Sequence, residues 1–227
     1  MQRSFILFSL LALLALVGLA QSDDQKRLNS ATDVLHETMA VSDQAIPQEL
    51  LDKSECVVLI PGMKKGAFIV GGQFGRGFLS CRKPNGAGWT TPGAVRMEGG
   101  SIGLQIGGQE TDIILLVMSK RGAERMMTSK FTLGGDVSVA AGPVGRTSTA
   151  ETDALMRAEI LSWSRSRGVF AGVSLKGSTL REDGDVNKRL YGKEYKNKDI
   201  VNSGLATPKA AEPLLAALTK YSARRSN

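Results

Sequence analysis

A chain of 227 residues with 29 basic against 22 acidic side chains carries a formal charge of +7, and it holds one histidine and two cysteines. That inventory cannot supply a zinc site, which draws its ligands from clusters of Cys, His and carboxylate. The sequence contains no EF-hand loop and no Walker motif, so neither metal nor cofactor is expected. The basic balance favours anionic partners such as phospholipid headgroups, nucleic acid or acidic glycans.

Residues 1–20 read as a signal peptide that is removed. Arg3 is the charged start, Phe5 to Leu16 is apolar apart from Ser9, and Gly18 and Ala20 stand at −3 and −1 of a cleavage site before Gln21. The run is shorter than the ~20 apolar residues of a spanning helix. Cleavage leaves 207 residues with a charge of +6, because only Arg3 is lost. The expected location is periplasmic or secreted, peripheral to a membrane, and export speaks against nucleic acid as a partner.

An N-terminal helical segment, 21–54, is expected to pack on a β-rich domain, 55–222. Leu28, Ala31, Leu35, Met39, Ser42 and Ile46 fall on one stripe of a helix over 24–46. Asp33 and Glu37 mark its opposite face, so the helix is read as docked on the core and not laid on a membrane. Pro47 ends it or opens a short helix, Gln48 to Lys53.

From Cys56 the pattern turns to strands: Cys56 to Ile60, stopped by Pro61-Gly62, then Ala67 to Val70, Phe78 to Cys81, Val95 to Ile106 and Ile113 to Met118. Val137 to Ala141, Ile160 to Ser164 and Val169 to Leu175 follow. Short helices are expected near Ala123 to Ser129 and Pro213 to Tyr221. A unit of apolar strand and paired glycines recurs at Phe68 to Gln73, Leu104 to Gln109 and Phe131 to Asp136, which suits bulges where a sheet curls. The fold expected is α+β, mainly β: a strongly curved, Gly-rich, barrel-like antiparallel sheet with flanking N- and C-terminal helices.

Cys56 and Cys81 are an even count in an exported chain, which favours a disulfide. Two buried thiols are the competing reading. A three-strand meander over 56–60, 67–73 and 76–82 would place them at opposite ends of its outer strands.

Gly99-Gly-Ser-Ile-Gly103 matches the nucleophile-elbow pattern, which would make Ser101 a hydrolase nucleophile. The base of that fold follows the serine in the chain, whereas the single histidine, His36, precedes it. The match reads as a glycine-rich bend. Ser80-Cys-Arg-Lys83 lacks the companion motifs of penicillin-recognising enzymes, and Asp183 and Asp185 beside Gly184 read as a solvated turn. No catalytic residue is assigned. Basic residues do gather at turns: Lys64 and Lys65 at a hairpin turn over 61–65, with Arg76, Arg82 and Lys83 within twenty residues. These five are the candidate lipid-binding residues, since clustered Lys and Arg attract anionic headgroups. Lys120 to Arg125 and Lys188 to Lys198 are further groups.

Glu55-Cys-Val-Val-Leu-Ile-Pro61, Lys65-Gly-Ala-Phe-Ile-Val-Gly-Gly72, Phe74-Gly-Arg-Gly77 and Gly99 to Gly108 stand in order with Thr111 to Met118, Ser129 to Asp136, Ala140 to Gly145 and Gly168 to Leu175. As an ordered set they resemble the SYLF-domain family from about Leu28 to Leu218. The resemblance implies a non-enzymatic domain that binds acidic phospholipid, phosphoinositides in eukaryotic members. The expected function is therefore an exported peripheral binder of anionic phospholipid at a membrane surface, its protein partner unknown. The alternative is an envelope module that binds another protein or an acidic glycan, and a secreted serine hydrolase stands third.

Overall fold

The computed structural model describes residues 22–40, 46–66, 71–101, 109–143, 157–166, 169–172 and 175–223. The expected signal peptide and the Ala67 to Val70 strand lie outside them. Helix α1, Asp23–Ala40, and helix α2, Gln48–Lys53, come first. The strands are β1 Cys56–Gly66, β2 Gly71–Cys81, β3 Gly93–Ser101, β4 Gln109–Val117, β5 Lys130–Thr132, β6 Val139–Ala141, β7 Ile160–Ser166, β8 Val169–Gly172 and β9 Thr179–Glu182. Helix α3, Lys120–Met126, precedes β5. Helices α4, Gly184–Tyr191, α5, Asn197–Asn202, and α6, Glu212–Tyr221, close the described chain.

One sheet holds the strands in the order β5-β9-β3-β2-β1-β4-β7-β6, with β8 also on β7. All pairings between these strands are antiparallel except β6 with β7. Alternation along each strand splits the core in two. Val58, Ile60, Leu79, Val95, Met97, Ile113 and Leu115 pack on one face together with Phe131 and Val139, which come from opposite edges of the sheet. Residues of both edges meet on that face only if the sheet curls around it. On the outer face Val57, Leu59, Phe78, Ile114 and Leu116 meet Leu28 and Leu35 of α1 and Leu214 and Leu218 of α6. Each such fully buried side chain contributes about 1.5–3 kcal/mol. The expected α+β fold, with its curled sheet and flanking helices, is what the structure has.

Pro61-Gly62 does not stop the first strand. β1 absorbs the pair as a bulge, its register jumping between Leu59 and Lys64 against β2 and between Ile60 and Met63 against β4. Gly62 takes the left-handed conformation at φ 57°, which glycine adopts without a Cβ penalty. The expected hairpin turn over 61–65 is corrected accordingly: Lys64 and Lys65 lie within a strand.

The long β1–β2 hairpin replaces the three-strand meander, and it brings the cysteines together. Cys56 stands opposite Cys81 in register, with Cα atoms 3.9 Å apart, and the two are bonded. A loop of 25 residues is closed, which stabilises by up to about 3 kcal/mol in the chain-entropy model. Cys56→Ser/Cys81→Ser is expected to lose about that much in denaturant melts, and thiol titration of denatured, unreduced protein should find no free thiol. Two titratable thiols would contradict the bond.

α4 and α5 occupy a stretch that reads as polar. Their buried side chains include two amides beside Val186, Ile200 and Val201: Asn187 Oδ1 accepts from Ala94 N–H at 2.8 Å, and Asn197 Nδ2 donates to the Ala94 carbonyl at 3.0 Å. Asp183 is buried, caps α4 by accepting from Val186 N–H at 3.4 Å, and stands 3.1 Å from Arg76 Nε. The solvated turn expected at Asp183 is a buried helix cap.

Tyr191 donates to the Pro92 carbonyl, with Thr91 Oγ1 3.3 Å away. Burial pushes its phenol up to about 12, against a weak opposing pull from the Thr91 hydrogen bond. An unfolded tyrosine titrates near ~10. Its raised folded pKa therefore contributes stability that is complete below pH ~10 and lost as pH rises toward the folded value. Alkaline melts should show that loss in the native protein and a shallower slope in Tyr191→Phe.

Candidate functional site

Along β2 the outward positions are Phe74, Arg76 and Phe78. The helices cover Phe78, which is buried, but leave Phe74 45% exposed. Strand register places every neighbour of this open area. Lys64 of β1 faces Phe74 of β2, Phe74 faces Glu98 of β3, Glu98 faces Thr179 of β9, and Thr179 faces Thr132 of β5. In the next row Arg76 faces Arg96, Arg96 faces Arg181, and Arg181 faces Lys130. Four cations on four adjacent strands form one line across the outer face.

Like charges directly opposite each other destabilise a sheet, by the same few tenths to 1 kcal/mol, roughly, that opposite charges gain. Two carboxylates relieve the line. Glu98 reaches Arg96 Nε at 3.3 Å with one oxygen and Arg181 Nε at 3.2 Å with the other, and Asp183 takes Arg76 Nε. Lys130 is exposed and makes no ion pair among the described residues. The Arg76 guanidinium also lies 5.7 Å from the Phe74 ring. Among the described residues, four cations against two carboxylates leave the row positive beside an exposed aromatic ring.

The five nominated basic residues do not converge. Lys64 is exposed on the open face, 3.7 Å from Glu110, and Arg76 is in the cationic row. Lys65 pairs in register with Gln73, while its side chain lies outside the described residues. Arg82 is buried at the disulfide end of the hairpin, about 25 Å from Lys64 at the strand rise of ~3.4 Å per residue. Its guanidinium donates to the Ser222 carbonyl at 2.7 Å and the Leu51 carbonyl at 3.1 Å, stacked 3.9 Å over Trp89. Lys83 is exposed beside it. Sequence reading missed Arg96, Arg181 and Lys130. Alternation would have marked Arg96 as outward between Val95 and Met97, but register across strands distant in the chain was needed to align the row.

The other groups are dispersed. Lys188 pairs with Glu194 at 2.8 Å, and Arg189 reaches Asp24 from α4. Ser101 ends β3 opposite Gly71, and His36 Nδ1 stands 2.9 Å from Tyr221 Oη, tying α1 to α6. Two clefts, of about 520 and 420 Å³, open at the disulfide end and share Val201 and Asn202. Arg82, the buried cation on the wall of the larger one, is engaged by the backbone carbonyls already named.

Among the described residues, helices cover one part of the outer face of the curled sheet and leave Phe74 and the cationic row outside their cover. Comparison with known proteins then gives the family. Residues 98–221 match the Ysc84 family model, described as Las17-binding protein actin regulator. The chain is 36% identical over 180 residues to an SH3 domain-containing protein of Schizosaccharomyces pombe, covering 78% of this chain and 41% of that protein. It is 34% identical to protein YSC84 of Saccharomyces cerevisiae, over 78% of this chain and 38% of the yeast protein. It is 31% identical to human SH3 domain-containing YSC84-like protein 1, over 82% of this chain and 54% of the human one. The chain belongs to the Ysc84 (SYLF) family, as the resemblance implied. It spans about half the length, or less, of these relatives.

The relatives carry the names of binding and regulatory proteins, among them LAS seventeen-binding protein 3 of S. cerevisiae. They correct one expectation. The partner expected from sequence was an anionic phospholipid membrane surface, whereas these names point to protein partners. The geometry gives a physical reason: the five cations nominated for headgroups lie at two ends of a long hairpin, and one of them is buried in the fold.

Proposed function

We propose that this chain is a non-enzymatic protein-interaction module that docks its partner on the open face of the sheet. The observation that carries the reading is the Arg76–Arg96–Arg181–Lys130 row beside the exposed Phe74. Aromatic and Arg side chains dominate the energetics of protein interfaces. Relatives named for binding Las17 support a protein as the partner. The kind of partner carries over to this chain, and the identity of the partner does not. Export is part of the same proposal: the leader-like residues 1–20 and the Cys56–Cys81 bond both suit an oxidising compartment. An intact mass beginning at Gln21 supports it, and an uncleaved chain contradicts it.

A photo-crosslinking amino acid placed at Phe74, and separately at the exposed Lys209 as control, tests the docking face in the source cells. A discrete protein adduct from position 74 alone is expected, and Arg96→Gln/Arg181→Gln should reduce its yield. Identical adducts from both positions, or none from position 74, would contradict the reading.

A further inference from the structure

We propose that the occupant of this face is an extended, carboxylate-rich protein segment that crosses the strands along the Arg76–Arg96–Arg181–Lys130 row and sets an apolar side chain against Phe74. This rests on the reading of the open face as a protein-docking surface and adds the chemistry of the partner. The internal ion pairs of the row all engage Nε: Asp183 at Arg76, and the two Glu98 oxygens at Arg96 and Arg181. All three Nε atoms are buried and make no hydrogen bond. The terminal Nη groups of these arginines donate no hydrogen bond among the described residues, so their planar forks remain for carboxylates, that of Arg76 beside the Phe74 ring. A fork of two parallel N–H donors matches a carboxylate in bidentate fashion, which a lysine cannot do.

Spacing favours a segment laid across the strands. Neighbouring strands are ~4.8 Å apart, so four aligned cations span about 14 Å. Side chains on one side of an extended chain recur every ~6.8 Å, which puts two or three acidic side chains within the row. Phe74, one position out of line on the same face, adds an apolar contact at its edge. The carboxylates of the face select against a broader anionic surface. Glu98 stands within the charged area and Glu110 beside Lys64, where a uniform anionic plane would meet both, while a single segment can pass between them.

The probe is a short labelled peptide with glutamate at alternate positions around a central leucine, compared with its glutamine counterpart by fluorescence anisotropy. The wild-type chain should bind the glutamate peptide and not the glutamine one, more weakly as salt rises. Arg96→Gln/Arg181→Gln should weaken binding about tenfold, the combined effect of two partly exposed charge pairs at up to ~1 kcal/mol each. Lys193→Gln/Lys209→Gln removes the same charge from exposed sites elsewhere and should leave binding unchanged. Lys130→Gln, at an exposed edge position whose side chain makes no ion pair among the described residues, should weaken it measurably even if the arginine variant melts early. Phe74→Ser should weaken binding of the leucine peptide and barely affect one with serine at its centre. Absence of wild-type binding, equal losses in the two double variants, or binding only to phosphatidylserine vesicles would each overturn the inference. A protein adduct at position 74 alongside a silent peptide would sink the partner chemistry and leave the docking face standing; loss of both would sink both.

Discussion

Arg82→Ala is expected to lower stability by about 4 kcal/mol, because this side chain joins three elements that are distant in sequence. Its guanidinium is buried under α2 and the end of α6, donating to the carbonyls of Ser54, Leu51 and Ser222 and to Ser222 Oγ. Hydrogen bonds from a charged donor contribute about 1.5–3 kcal/mol each, and a desolvated guanidinium over an indole adds about 2. Losses of this kind overlap, because the Ser222 carbonyl also accepts from Trp89 Nε1 at 2.9 Å and retains that partner. For a chain of this size the melting temperature should fall by about 12 °C. Arg82→Lys keeps the charge but cannot present a planar fork to several carbonyls, so it should recover less than half of the loss. A thermal melt of the alanine variant within a degree or two of wild type would remove Arg82 from the framework.

Gly77→Ala should be about as damaging, at about 4 kcal/mol, although it adds a single methyl. A Cβ at position 77 would stand 1.9 Å from the Leu59 carbonyl oxygen and 2.8 Å from Ile60 Cα. Both are backbone atoms of β1 at the start of its bulge, so no side chain can swing aside. Overpacking of this kind usually costs about 1–3 kcal/mol, and more where backbone must move. Gly72 lies in the same strand with nothing within 4 Å of its Cβ position, so Gly72→Ala should change stability by less than about 1 kcal/mol. Equal denaturation midpoints for the two variants would contradict the close approach.

These two residues show what was legible in the sequence. Glycines within apolar strands announced a curled sheet, and the helical stripe from Leu28 announced α1. The bulge at Pro61-Gly62 was not visible, because the same dipeptide serves as a turn when a strand ends and as a bulge when it continues. That single choice moved Lys64 from a turn to a strand and brought Cys56 opposite Cys81. α4 and α5 escaped notice because they are short, eight and six residues, and bury the amides Asn187 and Asn197 beside only Val186, Ile200 and Val201, too few apolar positions to mark a helix in a charged stretch. The candidate site was half legible. Lys64 and Arg76 could be nominated from local charge, whereas Arg96, Arg181 and Lys130 join them only through pairings among β3, β9 and β5. Arg82 was read as a surface cation because sequence shows its charge but not the carbonyls that surround it.

Chemical-shift mapping of the labelled chain saturated with the glutamate-bearing peptide tests the docking face most directly. Shifts should concentrate on the amides of Phe74 to Gly77, Val95 to Glu98 and Thr179 to Glu182, and fade toward α1 and α6. Shifts gathered instead on Lys83 to Thr91 and Ile200 to Leu205, around the clefts at the disulfide end, would contradict the open sheet face as the binding site.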